Sequence, residues 1–396
     1  MVVQHQIINK HRLIVIIFLI IIILLFNNNR KFEYMINITP IKGSTKWKRN
    51  LNCDYMMSKS IRKVVSENDF EKTKKDNWDV YFPCTYNKIK KETDVIELEN
   101  DNQRMFIIDN ADQITSKDSI WRNIVDMYGF EKSCQIMPKT YNLRNKNDVN
   151  KFNKEYDENK VYILKKNIQR QEGLKITKNK KEIMNGLRNN SYIIVQELLQ
   201  DPYLVNGRKI NLRCYLLIMC KEGDVEVYVH KNGFMYYTKK KYNKNDLSHE
   251  GNVTTGYIDR KVYDENPLTL KDFRKYLDNE DRKMTHIEQK TIIHNDNPLS
   301  QIVFERVYKV LTKAFIAILP HICNNKKFDK NLSFQLFGSD IAISDTLIPH
   351  IIEVNKGPDL GFKDDRDKKV KYKLVKDVFN LAGLTDTNNN EFIQLV

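Results

Sequence analysis

The stretch RKINLRCYLLIM, residues 208–219, decides the fold, because polar and apolar residues alternate along its first half. Side chains two residues apart on a β-strand point to the same face of the sheet. Lys209, Asn211 and Arg213 therefore share one face, while the residues between them enter a core. The apolar run from Tyr215 to Met219 is typical of a strand inside a sheet. We expect a central strand that presents two cations and an amide to a site, with a solvated edge strand as the alternative.

A second period-two pattern lies in IPHIIEVNKGP, residues 348–358. Glu353 and Asn355 are two residues apart, so their side-chain oxygens face the same way. Asp340 begins the preceding strand candidate, and the short connection between the two predicts an antiparallel pair. Two carboxylates and an amide oxygen are hard ligands of the kind that Mg²⁺ prefers. The sequence therefore predicts a magnesium site, with a pair of unrelated surface acids as the alternative.

A third element, VYILKKNIQRQEGLKIT, ends an apolar strand candidate at Lys165 and continues as a polar loop that contains Gly173. A lysine at a strand end beside a flexible loop can hold a phosphate. An exposed basic hairpin is the alternative. The next strand candidate, SYIIVQELL, offers an exit whose backbone could hydrogen-bond a purine edge. The residues of this exit are Gln196, Glu197 and Leu198.

The remaining elements mix helices and strands without regular alternation, which favours α+β lobes over a doubly wound sheet. Apolar positions at helical spacing predict helices near residues 120–130, 304–319 and 369–384. Residues 224–238 predict a β-hairpin with Asn232-Gly233 as its type I′ turn.

We divide the chain into five parts by composition. They are a hydrophobic segment (1–30), a polar basic tether (31–75), an N-terminal lobe (76–150), the central and C-terminal lobes (151–385) and a tail (386–396).

The hydrophobic segment contains the unbroken apolar run LIVIIFLIIIILLF, residues 13–26. As a helix it spans about 21 Å, short of the ~30 Å hydrocarbon core of a bilayer. No small-residue cleavage site follows, so we expect an uncleaved membrane anchor, with a signal peptide or a poorly defined gene start as alternatives. Basic residues are more frequent after the run, which predicts that the main domain faces the cytosol. A soluble cytoplasmic protein is the alternative.

The formal net charge of the 396 residues is +15, from 66 Lys and Arg against 51 Asp and Glu. Such a chain favours an acidic partner. We expect no nucleic acid, because no recognition helix or aromatic RNA-binding pattern is present. The six cysteines are scattered without a CxxC pair, which predicts reduced thiols and neither a zinc ribbon nor a disulfide scaffold. We also expect a monomer.

The order of these segments resembles the ATP-grasp fold and, within it, the tubulin tyrosine ligase-like family. The segments that carry the resemblance are ILKK, VQELL, NGRKINLRCYLLI, FGSDIAI and IIEVNKGP, and it covers roughly residues 80–385. It implies three lobes and a ligase that depends on ATP and Mg²⁺. Such an enzyme joins a free amino acid (Glu, Gly or Tyr) to a carboxylate of an acceptor protein, in this family a tubulin tail, through an acyl phosphate.

The resemblance also implies roles for the residues singled out above. Arg213 would stabilise the acyl phosphate or bind a carboxylate. Lys209, the second catalytic candidate, would position the phosphates together with Lys165. The Mg²⁺ ligands would be Asp340, Glu353 and Asn355. The nucleotide would contact Lys165, Gln196, Glu197, Leu198, Lys209 and Asn211.

The sequence departs from the family pattern at several positions. Lys166 stands where proline is usual, and Asn211 where an aspartate commonly contacts the nucleotide sugar. The segment SHEGNVTTGYI replaces the family's His-Leu-Thr-Asn, with His249, Thr254 and Thr255 as candidate substrate contacts. The amino acid and the acceptor therefore stay undefined. The alternatives are an ATP-grasp ligase with a non-tubulin acceptor and an inactive module that binds tubulin or a membrane.

Overall fold

The fold is built from a large mixed β-sheet and a separate, smaller antiparallel sheet. The computed structural model describes residues 36–41, 43–50, 52–168, 173–189, 191–386 and 389–396. Within these residues the strands are β1 (Lys46–Lys48), β2 (Glu71–Lys72), β3 (Val80–Tyr81), β4 (Arg104–Met105), β5 (Thr140–Asn142), β6 (Tyr162–Lys165), β7 (Leu174–Thr177), β8 (Ile194–Glu197), β9 (Leu204–Val205), β10 (Arg208–Lys221), β11 (Asp224–His230), β12 (Phe234–Thr238), β13 (Thr254–Thr255), β14 (Leu332–Ile343), β15 (Pro349–Lys356) and β16 (Phe392–Gln394).

Helices alternate irregularly with these strands, which confirms the predicted mixture of α and β structure. The helices in the described residues are α1 (Lys59–Glu67), α2 (Ile89–Asp94), α3 (Asp112–Thr115), α4 (Lys117–Tyr128), α5 (Phe130–Ser133), α6 (Lys146–Glu155), α7 (Lys180–Arg188), α8 (His249–Asn252), α9 (Val262–Glu265), α10 (Leu270–Leu277), α11 (His286–Ile293), α12 (Leu299–Ile318) and α13 (Asp365–Leu381). The three helices predicted from apolar spacing are confirmed as α4, α12 and α13, with boundaries shifted by a few residues.

The large sheet is organised around β10, the strand predicted to be central. One edge of β10 pairs antiparallel with β14 from Asn211 to Cys220, and the other edge pairs with β11 and β12. The side chains between the polar positions are buried, because Ile210, Leu212 and Cys214 face the core. Strand β14 pairs in turn with β15, as the short connection predicted. The interpretation of β10 as a solvated edge strand is therefore wrong.

The predicted hairpin at residues 224–238 is wrong in the position of its turn. The tight turn lies between β10 and β11 at Glu222-Gly223, and both residues have positive φ (54° and 82°), as a type I′ turn requires. Strands β11 and β12 both pair with β10, so Asn232-Gly233 is a break between them. Gly233 is needed there for a different reason: a Cβ would lie 2.1 Å from the carbonyl oxygen of Arg213.

The smaller sheet has the strand order β5-β8-β6-β7 and is antiparallel throughout. One face packs on α6 and α7 through an aromatic-rich cluster that includes Tyr141, Phe152 and Tyr162. This packing fixes β6 and β8 side by side, with Lys165 opposite Ile194. It thereby places the predicted phosphate lysine next to the predicted purine-binding strand.

The segment expected to be a tether is folded where the structure describes it. Helix α1 buries Ile61, Val64 and Val65, and it packs against α13. Strands β1 and β2 join the large sheet through β3. Part of the expected tail also joins this sheet, because β16 pairs with β11. The Asn- and Lys-rich composition made these short apolar stretches difficult to recognise in the sequence.

Four of the six cysteines form disulfides, so the prediction of reduced thiols is wrong for them. The bonds join Cys53 to Cys84 and Cys220 to Cys323, while Cys134 and Cys214 are free. The partners are 31 and 103 residues apart, and tertiary folding brings each pair of Cα atoms to 5.4 and 6.2 Å. No local spacing pattern could have indicated these pairs.

Among the described residues, no helix combines the length and the apolar character that a membrane crossing needs. The anchor predicted at residues 13–26 lies outside the described residues.

Candidate functional site

A cleft of about 940 Å³ is lined by side chains from both sheets. The polar face of β10 and the ends of β14 and β15 contribute from the large sheet, and β6 and β8 contribute from the small one. The predicted site residues that line the cleft are Lys165, Gln196, Glu197, Leu198, Lys209, Asn211, Arg213, Thr254, Thr255, Asp340, Glu353 and Asn355. Of the predicted set, only His249 does not line it.

The two predicted carboxylates face each other across neighbouring strands. Asp340 on β14 and Glu353 on β15 are register partners, and the pairing shifts immediately after Asp340. Asn355 follows two residues along β15, and its amide nitrogen donates to Glu353 Oε1 at 3.1 Å. The structure therefore brings together the three residues predicted as Mg²⁺ ligands.

Arg213 binds Asp340 through two parallel hydrogen bonds. Nε donates to Oδ1 at 2.5 Å, and Nη2 donates to Oδ2 at 2.9 Å. Both side chains are largely buried, with 12% and 10% of their surface exposed. The guanidinium also lies 4.7 Å from the ring centre of Tyr236. Gly338 leaves room for this arrangement, since a Cβ there would lie 3.1 Å from Arg213 Cδ.

Burial and charge act differently on the two carboxyl groups. Burial raises the pKa of Asp340 above its ordinary value, even though Arg213 opposes the change. Burial also acts to raise the pKa of Glu353, but Lys117 and Lys165 outweigh it, and the pKa of Glu353 is lowered. A buried carboxylate (Asp340) and a half-buried one (Glu353) on adjacent strands, with an amide oxygen beside them, are a donor set that fits a hard divalent cation.

Two lysines line the cleft on the side of the small sheet. Lys165 is 3% exposed, and its ammonium donates to Gln196 Oε1 at 2.8 Å and to the Ile352 carbonyl at 3.4 Å. Burial lowers the pKa of Lys165 to about 8. Lys117, at the start of α4, lies 4.0 Å from Glu353 Oε2 and was missed in the sequence. Lys117 precedes the apolar positions that mark this helix, and a single lysine there gives no signal among so many basic residues.

Lys209 does not lie beside the carboxylates. Its ammonium donates to the Leu199 carbonyl at 2.9 Å and to Asn252 at 3.4 Å, and it lies over the ring of Tyr242. Four residues separate it from Arg213, which is about 13 Å along a strand. The structure thus places Lys209 near the end of β8, away from Arg213, the other residue predicted to be catalytic.

The predicted purine-binding strand is partly engaged within the protein. The N–H of Glu197 donates to the Lys139 carbonyl and the N–H of Leu198 donates to the Val161 carbonyl, each at 2.8 Å. A purine would therefore have to use other groups of this segment. Glu197 Oε1 is buried and has no hydrogen-bond partner among the described residues, whereas Oε2 accepts a hydrogen bond from Lys160 at 2.8 Å.

The predicted substrate segment is divided. Thr254 and Thr255 form β13 at the cleft, whereas His249 begins α8 and is exposed. Asn252, three residues after His249, lines the cleft instead and contacts Lys209. The histidine was chosen for its chemistry, but a single helical turn points it away.

Further residues line the cleft that the sequence did not single out. They are Tyr236, Arg260, Asp359, Lys363 and Lys371, together with Lys117 and Asn252. Tyr236 could have been found from the period of β12, since it pairs with Asn211. The others come from loops, from the ends of α4 and α8 and from α13, where no simple pattern marks a residue as inward.

The chain is thus a mixed α/β protein whose cleft holds paired carboxylates among lysines and an arginine. It belongs to the tubulin-tyrosine ligase family, whose sequence model matches residues 96–391.

Curated relatives share this part of the chain. It is 24% identical to a probable beta-tubulin polyglutamylase of Tetrahymena thermophila, over 68% of the chain and 22% of that protein. It is 24% identical to a tubulin monoglutamylase of Mus musculus, over 74% of the chain and 24% of that protein. It is 26% identical to a tubulin polyglutamylase of Caenorhabditis briggsae, over 72% of the chain and 46% of that protein. The match therefore spans less than half the length of these three relatives.

Proposed function

We propose that the protein is an ATP- and Mg²⁺-dependent ligase of ATP-grasp architecture that joins a free amino acid to a carboxylate of an acidic protein tail. One observation supports this most strongly. The paired carboxylates Asp340 and Glu353 lie in the same cleft as Arg213 and the lysines Lys117 and Lys165. Such a set can hold a metal-bound polyphosphate, because cations and metal ligands meet at one place.

The nucleotide would lie along the polar face of β10. Lys165 and Lys117 would hold the phosphates near Glu353, where their charges are closest to the carboxylates. Asn211 would contact the sugar, and Lys209 with the segment after β8 would contact the base. This arrangement revises the role of Lys209, because its ammonium reaches the Leu199 carbonyl and not the carboxylate pair.

The reaction would proceed in two transfers. An oxygen of the acceptor carboxylate attacks the γ-phosphorus of ATP, a P–O bond forms, the bond to the β-phosphate oxygen breaks, and ADP leaves. The deprotonated amine of the amino acid then attacks the acyl carbon, a C–N bond forms, and the C–O bond to the phosphoryl group breaks. Inorganic phosphate leaves and takes up the proton that the amine nitrogen loses. Arg213 lies where it can stabilise charge on the acyl phosphate. Asp340, Glu353 and Asn355 would hold Mg²⁺, which neutralises phosphate charge when bound.

Glutamate is the amino acid that we propose, and a tubulin tail is the acceptor. The names of the relatives describe tubulin glutamylases, which supports both choices. The net charge of +15 also suits an acidic tail. We keep the division into an N-terminal lobe (76–150) and catalytic lobes (151–385), the monomeric state and the anchor at residues 13–26 as proposals about context.

A direct incorporation assay tests this function. The full chain is incubated with MgATP, tubulin and labelled glutamate, glycine or tyrosine in separate reactions. We expect labelled glutamate in tubulin, with ADP released in equal amount, and loss of both with EDTA or in Glu353→Gln. Glu305→Gln, an exposed position on α12, is the matched control and should behave as wild type. Incorporation that persists in Glu353→Gln would contradict the proposed site.

A second candidate function is ligation to an acceptor other than tubulin. It is favoured by the altered acceptor segment, in which Thr254 and Thr255 line the cleft while His249 points away. ADP release that depends on glutamate and on a cell extract, but not on tubulin, would select this alternative. Mass spectrometry of the extract would then identify the acceptor.

A further inference from the structure

The cleft continues beyond Arg213 into a charged end that the proposed nucleotide does not use. Its lining residues include Tyr236, Arg260, Asp359, Lys363 and Lys371. The last three belong to the loop after β15 and to α13. This end adjoins the reacting groups, because a Cβ on Gly338 would lie 3.1 Å from Arg213 Cδ and 3.3 Å from Pro358 Cβ. Asp359 directly follows that proline.

Arg260 is already committed within the protein. Its Nε donates to Asp364 at 3.1 Å, and its Nη2 donates to both Asp364 and Asp367. A planar guanidinium engaged by two carboxylates has little capacity left for a substrate anion. Arg260 therefore serves to hold the loop against α13. Lys371 and Lys363 also line the cleft, and the Lys363 ammonium donates to the Gly256 carbonyl.

Lys371 is a buried cation with an incomplete set of partners. The residue is 5% exposed, and its ammonium donates to the Gly361 carbonyl. Asp359 Oδ2 is 3.7 Å away, beyond hydrogen-bond distance but close enough to attract. An ammonium carries three donors, and a buried charge is costly without compensation. The Lys371 ammonium can therefore donate a hydrogen bond to an anion bound in the cleft.

Asp359 supplies the opposite charge on the same wall. Its side chain is 57% exposed, and one of its oxygens accepts the N–H of Gly361 at 2.8 Å. An ammonium and a carboxylate 3.7 Å apart are complementary to the head group of an α-amino acid. The ammonium can pair with the α-carboxylate of that head group, and the carboxylate can pair with its α-ammonium. Such a pair binds the zwitterion and discriminates against molecules that lack either charge.

We propose that Lys371 and Asp359 bind the head group of the free amino acid, the lysine to its α-carboxylate and the aspartate to its α-ammonium. This inference rests on the proposed ligase function and places its second substrate next to Arg213. Lys363, over the ring of Tyr257 at the cleft mouth, is then the cation that meets a side-chain carboxylate. The subsite thereby favours glutamate over glycine and tyrosine.

Charge around Lys371 agrees with this assignment. Burial lowers its pKa, and the neighbouring Lys363 lowers it further, while Asp359 and Asp367 oppose the change. A bound α-carboxylate would offset the cost of keeping two cations close together.

Equilibrium dialysis of labelled amino acids tests the subsite without an acceptor. Wild-type full-length protein, saturated with Mg²⁺ and a non-hydrolysable ATP analogue, should bind glutamate at least tenfold more tightly than glycine or tyrosine. Lys371→Met keeps an apolar stem but removes the ammonium, which lies over the Phe234 ring, and it should weaken glutamate binding at least tenfold, with affinity for the ATP analogue changed less than twofold. Lys369→Met, exposed on the same helix, is the matched control.

Three more measurements test the two charges of the subsite one at a time. Asp359→Asn, at an exposed position that should not affect folding, should also weaken glutamate binding at least tenfold. N-acetylglutamate, which lacks the α-ammonium, should not compete. A glutamate-rich peptide should bind Lys371→Met as it binds wild type, because the subsite takes the free amino acid and not the acceptor.

Two results would overturn the proposal. If Lys371→Met and Asp359→Asn bind glutamate as tightly as wild type does, these residues do not form the subsite. If wild type binds the ATP analogue but no amino acid, the subsite is wrong while the nucleotide site stands. Failure to bind the nucleotide at all would count against the ligase function and the subsite together.

Discussion

The bidentate pair between Arg213 and Asp340 allows a prediction with a definite magnitude. Arg213→Met keeps an unbranched stem as far as the position of Nε and removes both hydrogen bonds, of 2.5 and 2.9 Å, from a carboxylate that is 10% exposed. Breaking a buried ion pair on one side costs about 3–5 kcal/mol, because the remaining charge is left uncompensated. We expect a loss of that size in the free energy of unfolding at pH 8.

The pH dependence of this loss follows from the carboxyl group. Burial already raises the pKa of Asp340, and without Arg213 the neighbouring Glu353 would raise it further. A raised native pKa means that the native state binds a proton more readily than the unfolded state does. The variant therefore recovers stability relative to wild type as pH falls. We therefore expect the difference in the free energy of unfolding to be smaller at pH 5 than at pH 8.

Urea denaturation of wild type and three variants measures the effect. The variants are Arg213→Met, Asp340→Asn and the double substitution, which together form a double-mutant cycle. The double variant should be more stable than Arg213→Met alone, because the unpaired charge is gone. A cost below about 1 kcal/mol for Arg213→Met, or no recovery in the double variant, would refute the reasoning.

Three further predictions concern the nucleotide lysine, a close backbone contact and a disulfide. Affinity for MgATP should fall as pH rises above about 8, because Lys165, with its pKa lowered to about 8, loses its charge. Titration calorimetry from pH 7 to 9.5 should show this fall in wild type and not in Lys165→Met. Gly233→Ala should cost about 3 kcal/mol or more, since its Cβ would lie 2.1 Å from the Arg213 carbonyl oxygen; an unchanged melting temperature would contradict the contact. Cys53→Ser should lose about 3 kcal/mol in oxidising buffer and nothing in reducing buffer, because its bond to Cys84 closes a loop of about 31 residues.

The sequence was most informative where one physical rule acts on a short stretch. Alternation with period two placed Lys209, Asn211 and Arg213 on one face of β10, and it put Glu353 and Asn355 together on β15. The antiparallel partner of β15 followed from the length of the connection. These predictions depend only on strand geometry and burial, so the tertiary structure had little freedom to change them.

The sequence was least informative where a turn or a distant partner decides the outcome. Asn232-Gly233 has the composition of a type I′ turn, but β10 is long enough to pair with strands on both sides of it. Lys209 shares a face of β10 with Arg213, yet the two side chains are four residues apart along the strand and do not meet. Two residues on the same face of a strand can thus lie far apart. The face alone does not predict which residues share a site, because the distance along the strand also matters.

Other features had no local signal at all. Lys117 reaches Glu353 from a different part of the chain, and the disulfides join segments that only the folded chain brings together. Lys371 lies on the buried side of α13, where its neighbours Lys368 and Lys369 look the same in the sequence. Such residues can be recognised only from their surroundings in the fold.

The central claim is that Asp340 and Glu353 together hold the metal of a bound nucleotide. Titration calorimetry of MgATP with wild type, Asp340→Asn and Glu353→Gln, each with and without EDTA, tests it most directly. We predict that wild type binds in a Mg²⁺-dependent manner and that each substitution weakens binding at least tenfold, with Glu305→Gln unchanged. Equal affinity in wild type and both variants, or binding that ignores EDTA, would contradict the account.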